Sequence, residues 1–176
     1  AGNYSVVVKS YGATGAVSTV TSSDAVLTMN KGSQTITFGS LADRVYGVAA
    51  FTVSASNSAL LQNTLVSNDT SVCTLGSPSL AAGTTSATLT VINTGTCSIT
   101  ASNAGNTDYN AATSITQTFA VTTKTLSLSG MTANNKTYDR STSATISFSG
   151  ASLVGIVGSD SVSFDANGAT GAFPAK

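Results

Sequence analysis

The sequence predicts an all-β protein of short strands packed into sandwiches, and three observations carry that expectation. Apolar and small polar residues alternate with a period of two in run after run, as in Gln34-Thr35-Ile36-Thr37-Phe38 and Gly95-Thr96-Cys97-Ser98-Ile99-Thr100-Ala101-Ser102; this is the mark of strands with one buried face. Clusters of Gly, Asn, Asp and Ser break these runs at short intervals, where turns belong. Composition agrees: Ser, Thr, Gly, Ala and Val dominate, 8% of residues are charged, and the chain has no His, Trp or Glu. Thr and Val fit a pleated, half-buried surface. At 176 residues there is material for one large or two small domains with a real core.

The chain is organised around its only two cysteines. Cys73 lies in Ser71-Val72-Cys73-Thr74-Leu75 and Cys97 in the 95–102 run, so both sit in alternating strands. A disulfide is preferred over two buried free thiols, and it implies an oxidising compartment. No ligand partners for a zinc site accompany the pair.

Residues 1–31 carry two apolar runs, 4–8 and 25–29, with Tyr11-Gly12-Ala13-Thr14-Gly15 as the expected turn and 17–20 as the start of the return strand. Two strands cannot close a sandwich. The step Gly2-Asn3-Tyr4 resembles the end of an immunoglobulin-like domain, where such a tyrosine ties a corner back to the backbone. That resemblance gives Tyr4 a structural role. Val6 stands where antibody-type domains carry a cysteine, so it is to a bacterial variety without that disulfide.

After the polar break Lys31-Gly32-Ser33, residues 32–122 hold seven or more short strands: 34–38, 45–47, 50–55, 65–67, 71–75, 87–92, 95–102 and 115–121. Turn signals fall at Ser56-Asn57-Ser58, Asn68-Asp69, 76–83, Asn93-Thr94-Gly95 and 103–110, which makes a complete β-sandwich the economical answer. Its core is expected from the inward members of the alternating runs: Ile36, Phe38, Phe51, Val53, Val72, Leu89, Val91, Ile99, Ile115, Phe119 and Val121. The ordered series Gln34-Thr35-Ile36-Thr37-Phe38, Val45-Tyr46-Gly47, Ser71-Val72-Cys73, Gly95-Thr96-Cys97-Ser98-Ile99-Thr100-Ala101 and Gly105-Asn106-Thr107-Asp108-Tyr109-Asn110-Ala111-Ala112 resembles the bacterial immunoglobulin-like repeat of the MBG type. That family occurs in tandem in long surface and secreted proteins. The resemblance implies a spacer or adhesin role and brings no catalytic residue.

From residue 123 the pattern changes. Thr125-Leu126-Ser127-Leu128-Ser129-Gly130, Thr137-Tyr138-Asp139-Arg140, Ala144-Thr145-Ile146-Ser147-Phe148 and Ser161-Val162-Ser163-Phe164-Asp165 resemble the opening half of the YDG-type repeat of filamentous-haemagglutinin-like adhesins. Tyr138 is assigned a structural role by that resemblance. Arg140 replaces the glycine of the name-giving tripeptide, at a place where a positive φ would suit Gly far better than Arg. The expected organisation is thus tandem immunoglobulin-like sandwiches, one complete (32–122) and two partial (1–31 and 123–176), in a window on a longer polypeptide.

Charge and residue chemistry narrow the function classes. The formal net charge is zero, with Lys and Arg scattered, so nucleic acid and anionic membrane are not expected as partners. No run approaches the 18 apolar residues of a membrane helix. No basic and then apolar leader opens the stretch, so a targeting signal is expected elsewhere. Without His, nucleophilic catalysis lacks its usual base, and a Ser-Lys pair is left as a chance juxtaposition. All seven acids are Asp; Asp160 and Asp165 flank one run and read as turn residues, and Asp69, Asp108, Asp160 and Asp165 lack the density of a calcium loop. The glycines of 155–158 and 168–171 precede no helix and are read as turns. Asn3, Asn68 and Asn135 fit the N-glycosylation pattern, which for solvent-facing turn residues carries little. Lys136 beside Asn134 and Asn135 looks exposed, unlike the buried lysine of a Lys-Asn cross-link.

The expected protein is a non-enzymatic structural or adhesive module, extracellular or on a cell surface, with no cofactor or metal. Its partners are neighbouring domains of the same polypeptide or other copies, joined head to tail. The alternative is a carbohydrate- or host-surface-binding module using loops at the sandwich tip; the absence of Trp weighs against it.

Overall fold

The computed structural model describes residues 30–174 throughout and, before them, the backbone of four short strands. The chain is all-β. Its centre is two facing sheets. One joins β5 (Ile36–Phe38), β7 (Phe51–Asn57), β11 (Thr84–Val91) and β10 (Ser79–Ala81) in the order β10-β11-β7-β5, with β9 (Cys73–Leu75) pairing the far end of β11. The other runs β6-β13-β12-β8, from β6 (Arg44–Val45), β8 (Thr64–Ser67), β12 (Gly95–Ser102) and β13 (Ile115–Thr122). Pairing is antiparallel throughout the two sheets except between β6 and β13.

Alternation decides which face goes inward. Val53 and Ala55 of β7, Thr85, Ala87 and Leu89 of β11, and Cys97, Ile99 and Ala101 of β12 are buried, with their neighbours facing outward. Of the expected core, Ile36, Phe38, Val53, Val72, Leu89, Ile99, Phe119 and Val121 are buried, while Phe51, Val91 and Ile115 pack half-buried at its margin. Small Ala55, Ala87 and Ala101 share the core with the larger Leu89, Ile99 and Phe119. The rings of Phe51 and Phe119 meet edge to face at 6.0 Å, and the Arg44 guanidinium lies 4.6 Å above Phe51. Edge amides are covered too: Ala120 N donates to Asp43 Oδ1 at 2.7 Å.

Two local expectations are corrected. Residues 76–83, expected as one turn, contain β10, which folds onto β11 through the two-residue loop Ala82-Gly83. Both loop residues have positive φ (46° and 77°), the geometry whose twist matches paired strands. Val162 to Phe164, expected as a strand, is in no ladder among the described residues. An alternating run becomes a strand only beside an edge.

Flanking the sandwich are narrower pieces. Before it, β1 (Asn3–Ser5) pairs β4 (Val26–Thr28), and β2 (Ser10–Tyr11) pairs β3 (Val17–Ser18). The rest of the expected N-terminal strands and the side chain of Tyr4 lie outside the described residues. After it, β14 (Ser127–Ser129) pairs β18 (Ser152–Val154), β15 (Thr132–Ala133) pairs β17 (Ile146–Ser147), and β16 (Ser143–Ala144) pairs β19 (Gly171–Ala172).

Candidate functional site

The staple between the cysteines crosses the core. Cys73 belongs to β9 in one sheet and Cys97 to β12 in the other; they are joined by a disulfide with Cα atoms 5.7 Å apart, and neither is solvent-accessible. The bond therefore ties sheet to sheet. Ser67 Oγ donates to Cys73 O at 2.7 Å and holds the short strand from β8. Such a bond belongs to an oxidising, extracellular-type environment. Among the described residues no helix is long and apolar enough to cross a membrane.

The pole at which the chain enters the sandwich is locked by buried amides. Asn57 Nδ2 donates to Gln34 Oε1 (2.7 Å) and Asn63 Oδ1 (3.0 Å), and Gln34 Nε2 donates to Asn103 Oδ1 (3.1 Å) and Asn110 O (2.7 Å). Asn63 Nδ2 reaches Ala55 O, its backbone N–H reaches Thr85 Oγ1, and Asn103 Nδ2 reaches Gln62 O. All four amide residues are buried. They tie residues beside the ends of β5, β7, β8 and β12 into one cluster. Asn57 and Asn103 sit in runs expected as turns, and the buried hydrogen bonds of their side chains are what the sequence did not reveal. Gly32 is fixed to this pole, donating to Asp108 O at 2.8 Å and accepting from Asn110 N at 2.9 Å.

The chain leaves at the opposite pole. β13 starts at the amide pole and ends at Thr122, whose carbonyl accepts from Tyr46 N at 2.8 Å. The segment beyond docks there: Val157 closes on Gly47, where a β-carbon would stand 2.5 Å from a Val157 methyl and where φ is +84°. Only glycine suits that contact. Beside it lies a cleft of about 220 Å³ bordered by Tyr46, Thr94, Leu126, Ile156 and Val162.

The segment after the sandwich has strands but no interior. Its alternating inward members Leu126, Leu128, Ile146, Phe148, Leu153 and Val157 reach only partial burial, and no described residue after Val121 is buried. Met131, Val154, Ile156, Val162 and Phe164 are exposed, with the Phe164 ring 6.1 Å from Phe148.

Residues with chemistry of their own are placed as follows. Tyr138, assigned a structural role, stands 72% exposed, so its ring supplies little packing. Next to it, Asp139 Oδ1 accepts from Lys136 Nζ at 2.8 Å and from Ser141 N at 2.9 Å. Lys136 Nζ also lies 2.7 Å from Ser141 Oγ. It is a solvent-open ion pair, with side chains 26% and 56% exposed, unlike the dehydrated amine a Ser-Lys dyad uses. Asp69 binds the hydroxyl and the N–H of Ser71, which lowers its pKa. Among the described residues no three His, Cys, Asp or Glu stand close enough to hold a metal ion.

The Asp139 turn makes two expectations. The Lys136 hydrogen bond, then the Ser141 N–H, lowers the Asp139 pKa from 3.8 to about 2. The ionised form is favoured by folding, so this contribution is present above pH 3.8 and is lost as pH falls through 2. A carboxyl-carbon NMR titration should show a midpoint of about 2, and Lys136→Ala should raise it. Arg140 itself adopts φ +63°, where a glycine would be unstrained. Arg140→Gly is expected to stabilise the local turn by about 1 kcal/mol, less the added freedom of the unfolded chain. Slower amide exchange at Ser141 and Ser143 would register it.

No family model matches the chain, and neither a curated protein nor a solved structure matches it.

Proposed function

We propose that the chain is a structural or adhesive module of a long bacterial extracellular or cell-surface protein, a link in an extended stalk or filament of end-to-end sandwiches rather than an enzyme. One observation carries this reading: the chain enters at the amide pole and leaves at the Tyr46–Gly47 pole of a disulfide-stapled sandwich. A load along the chain then runs through β-ladders and the inter-sheet bond. The resemblance of 34–122 to MBG-type repeats and of the segment from 124 to YDG-type repeats supports a tandem immunoglobulin-like arrangement, with boundaries near 31 and 123.

The other reading, a carbohydrate- or host-surface-binding module, has the exposed ring of Tyr138 in its favour. That ring lies outside the sandwich, and the 103–112 loop at the entry pole is held by its own hydrogen bonds, with Asn106 Oδ1 accepting from the N–H groups of Asp108 and Tyr109.

Shape tests the stalk. Two copies fused in tandem should scatter X-rays as a rod, the maximum dimension growing by more than the roughly 27 Å length of an eight-residue strand. A fused pair no longer than one copy would overturn the reading.

A further inference from the structure

We infer that the sandwich bears load in shear: the stretches 32–46 and 108–122 form a parallel seam that resists a pull along the chain, and the Cys73–Cys97 bond limits how far the module lengthens once the seam parts. The inference rests on the stalk reading and names the contacts that carry the load. Both stretches run from the amide pole to the Tyr46–Gly47 pole. Gly32 pairs with Tyr109, and Arg44 and Val45 pair with Val121 and Thr122, all in parallel and all at the same offset in sequence. Hydrogen bonds join the two from end to end. At the entry pole Gly32 N donates to Asp108 O and Asn110 N to Gly32 O. Midway, Gln117 Nε2 donates to Phe38 O at 2.9 Å. At the exit pole Ala120 N donates to Asp43 Oδ1, and Tyr46 N to Thr122 O.

The direction of a pull decides how these bonds are loaded. The chain enters the first stretch at its start and leaves the second at its end, so tension drags two parallel strands in opposite directions. Ladder bonds run between the strands, and such a slide strains the whole row together. Opened from one pole, the same row would give way one bond at a time. Arg44 adds to the grip from β6: its guanidinium lies over Phe51 of the facing sheet, while its buried Nε has no hydrogen-bond partner among the described residues, so the ring is what holds it. Once the seam has parted, β5, β6 and β13 are free to be drawn off. β10 and β11 are not, because they lie inside the loop that the disulfide closes. That bond spans 24 positions and so withholds about 80 Å of chain.

Single-molecule force spectroscopy on the full chain tests both parts. Held through residues 1 and 176, the sandwich is expected to resist to a higher force than when held through residues 30 and 108, which both stand at the entry pole and open the row from one end. Tyr46→Pro removes the donor to Thr122, in a turn from Val45 to Val48 whose Gly47 at φ +84° suits a preceding proline. Under the same end-to-end load it should unfold about two- to tenfold faster than Tyr46→Ala, which loses the ring but keeps the N–H. With dithiothreitol present, a second lengthening of about 80 Å should follow the first event. There the reagent's two thiols pass two electrons and two protons to the newly exposed bond and leave as the cyclic disulfide. Equal forces in the two directions, or Tyr46→Pro no faster than Tyr46→Ala, would overturn the seam. A first event that releases the 73–97 loop without reductant would overturn the limit. A fused tandem that scatters as a rod and yet yields equally in both directions keeps the stalk without the seam; a compact tandem whose sandwich still resists end-to-end pulling supports the seam and loses the stalk.

Discussion

Asn57→Ala is expected to lower the unfolding free energy by about 3–5 kcal/mol, more than most single substitutions. The side chain is 4% exposed and serves three groups at once: it donates to Gln34 Oε1 and Asn63 Oδ1 and accepts from Ala59 N. Truncation strips all three. Each buried group left without a partner costs about 1–3 kcal/mol, and water entering the gap recovers part of it. The loss should appear in urea unfolding as a lower midpoint with an unchanged slope. Asn68→Ala is the control, because Asn68 makes its bonds to Ser98 and Thr100 on the exposed face, and it should shift stability by less than about 0.5 kcal/mol. If Asn57→Ala behaved like Asn68→Ala, the amides at the entry pole would be ornament rather than a lock.

Much of the sandwich was legible in the sequence because a buried strand face writes itself as a period of two. Cys97, Ile99 and Ala101 alternate with Ser98 and Thr100, and the structure turns inward the set that alternation predicts. The two cysteines stood in such runs, so a bond between them could be anticipated, though not that it would cross from one sheet to the other. The amide cluster was illegible for a physical reason: Asn57 and Asn103 have the same local sequence character as solvent turns, and burial comes only when Gln34 and Asn63 arrive from 23 and 6 residues away to pair with Asn57. β10 was hidden because its turn places Ala82 where Asn or Gly is the usual signal. Val162-Ser163-Phe164 failed in the opposite sense, since its pattern is local while a ladder needs a neighbour.

Replacing both Cys73 and Cys97 with Ala should cost about 3–5 kcal/mol. The bond spans 24 positions in sequence, and in the chain-entropy account closing such a loop restricts the unfolded chain by about 3 kcal/mol. Both cysteines are fully buried, so truncation also leaves a small void between the sheets, which adds to the loss. Against a typical domain stability of about 5–15 kcal/mol this is a large share, and it falls on the strand least able to bear it. β9 has three residues and among the described residues pairs only with the end of β11, so without the bond its hold on the facing sheet is the Ser67 contact to Cys73 and the side-chain packing around it. Urea unfolding of the double variant should therefore show a first loss near β9, seen as early amide exchange at Thr74 and Leu75. Reductant tests the same bond without mutation. Because the sulfurs are sealed in the core, dithiothreitol should react slowly with the native protein and quickly once urea opens the sheets. A double variant within 1 kcal/mol of wild type, a bound set by the low end of measured disulfide contributions, would show that packing alone holds the sheets together. The module would then have no need of the oxidising environment that the bond implies.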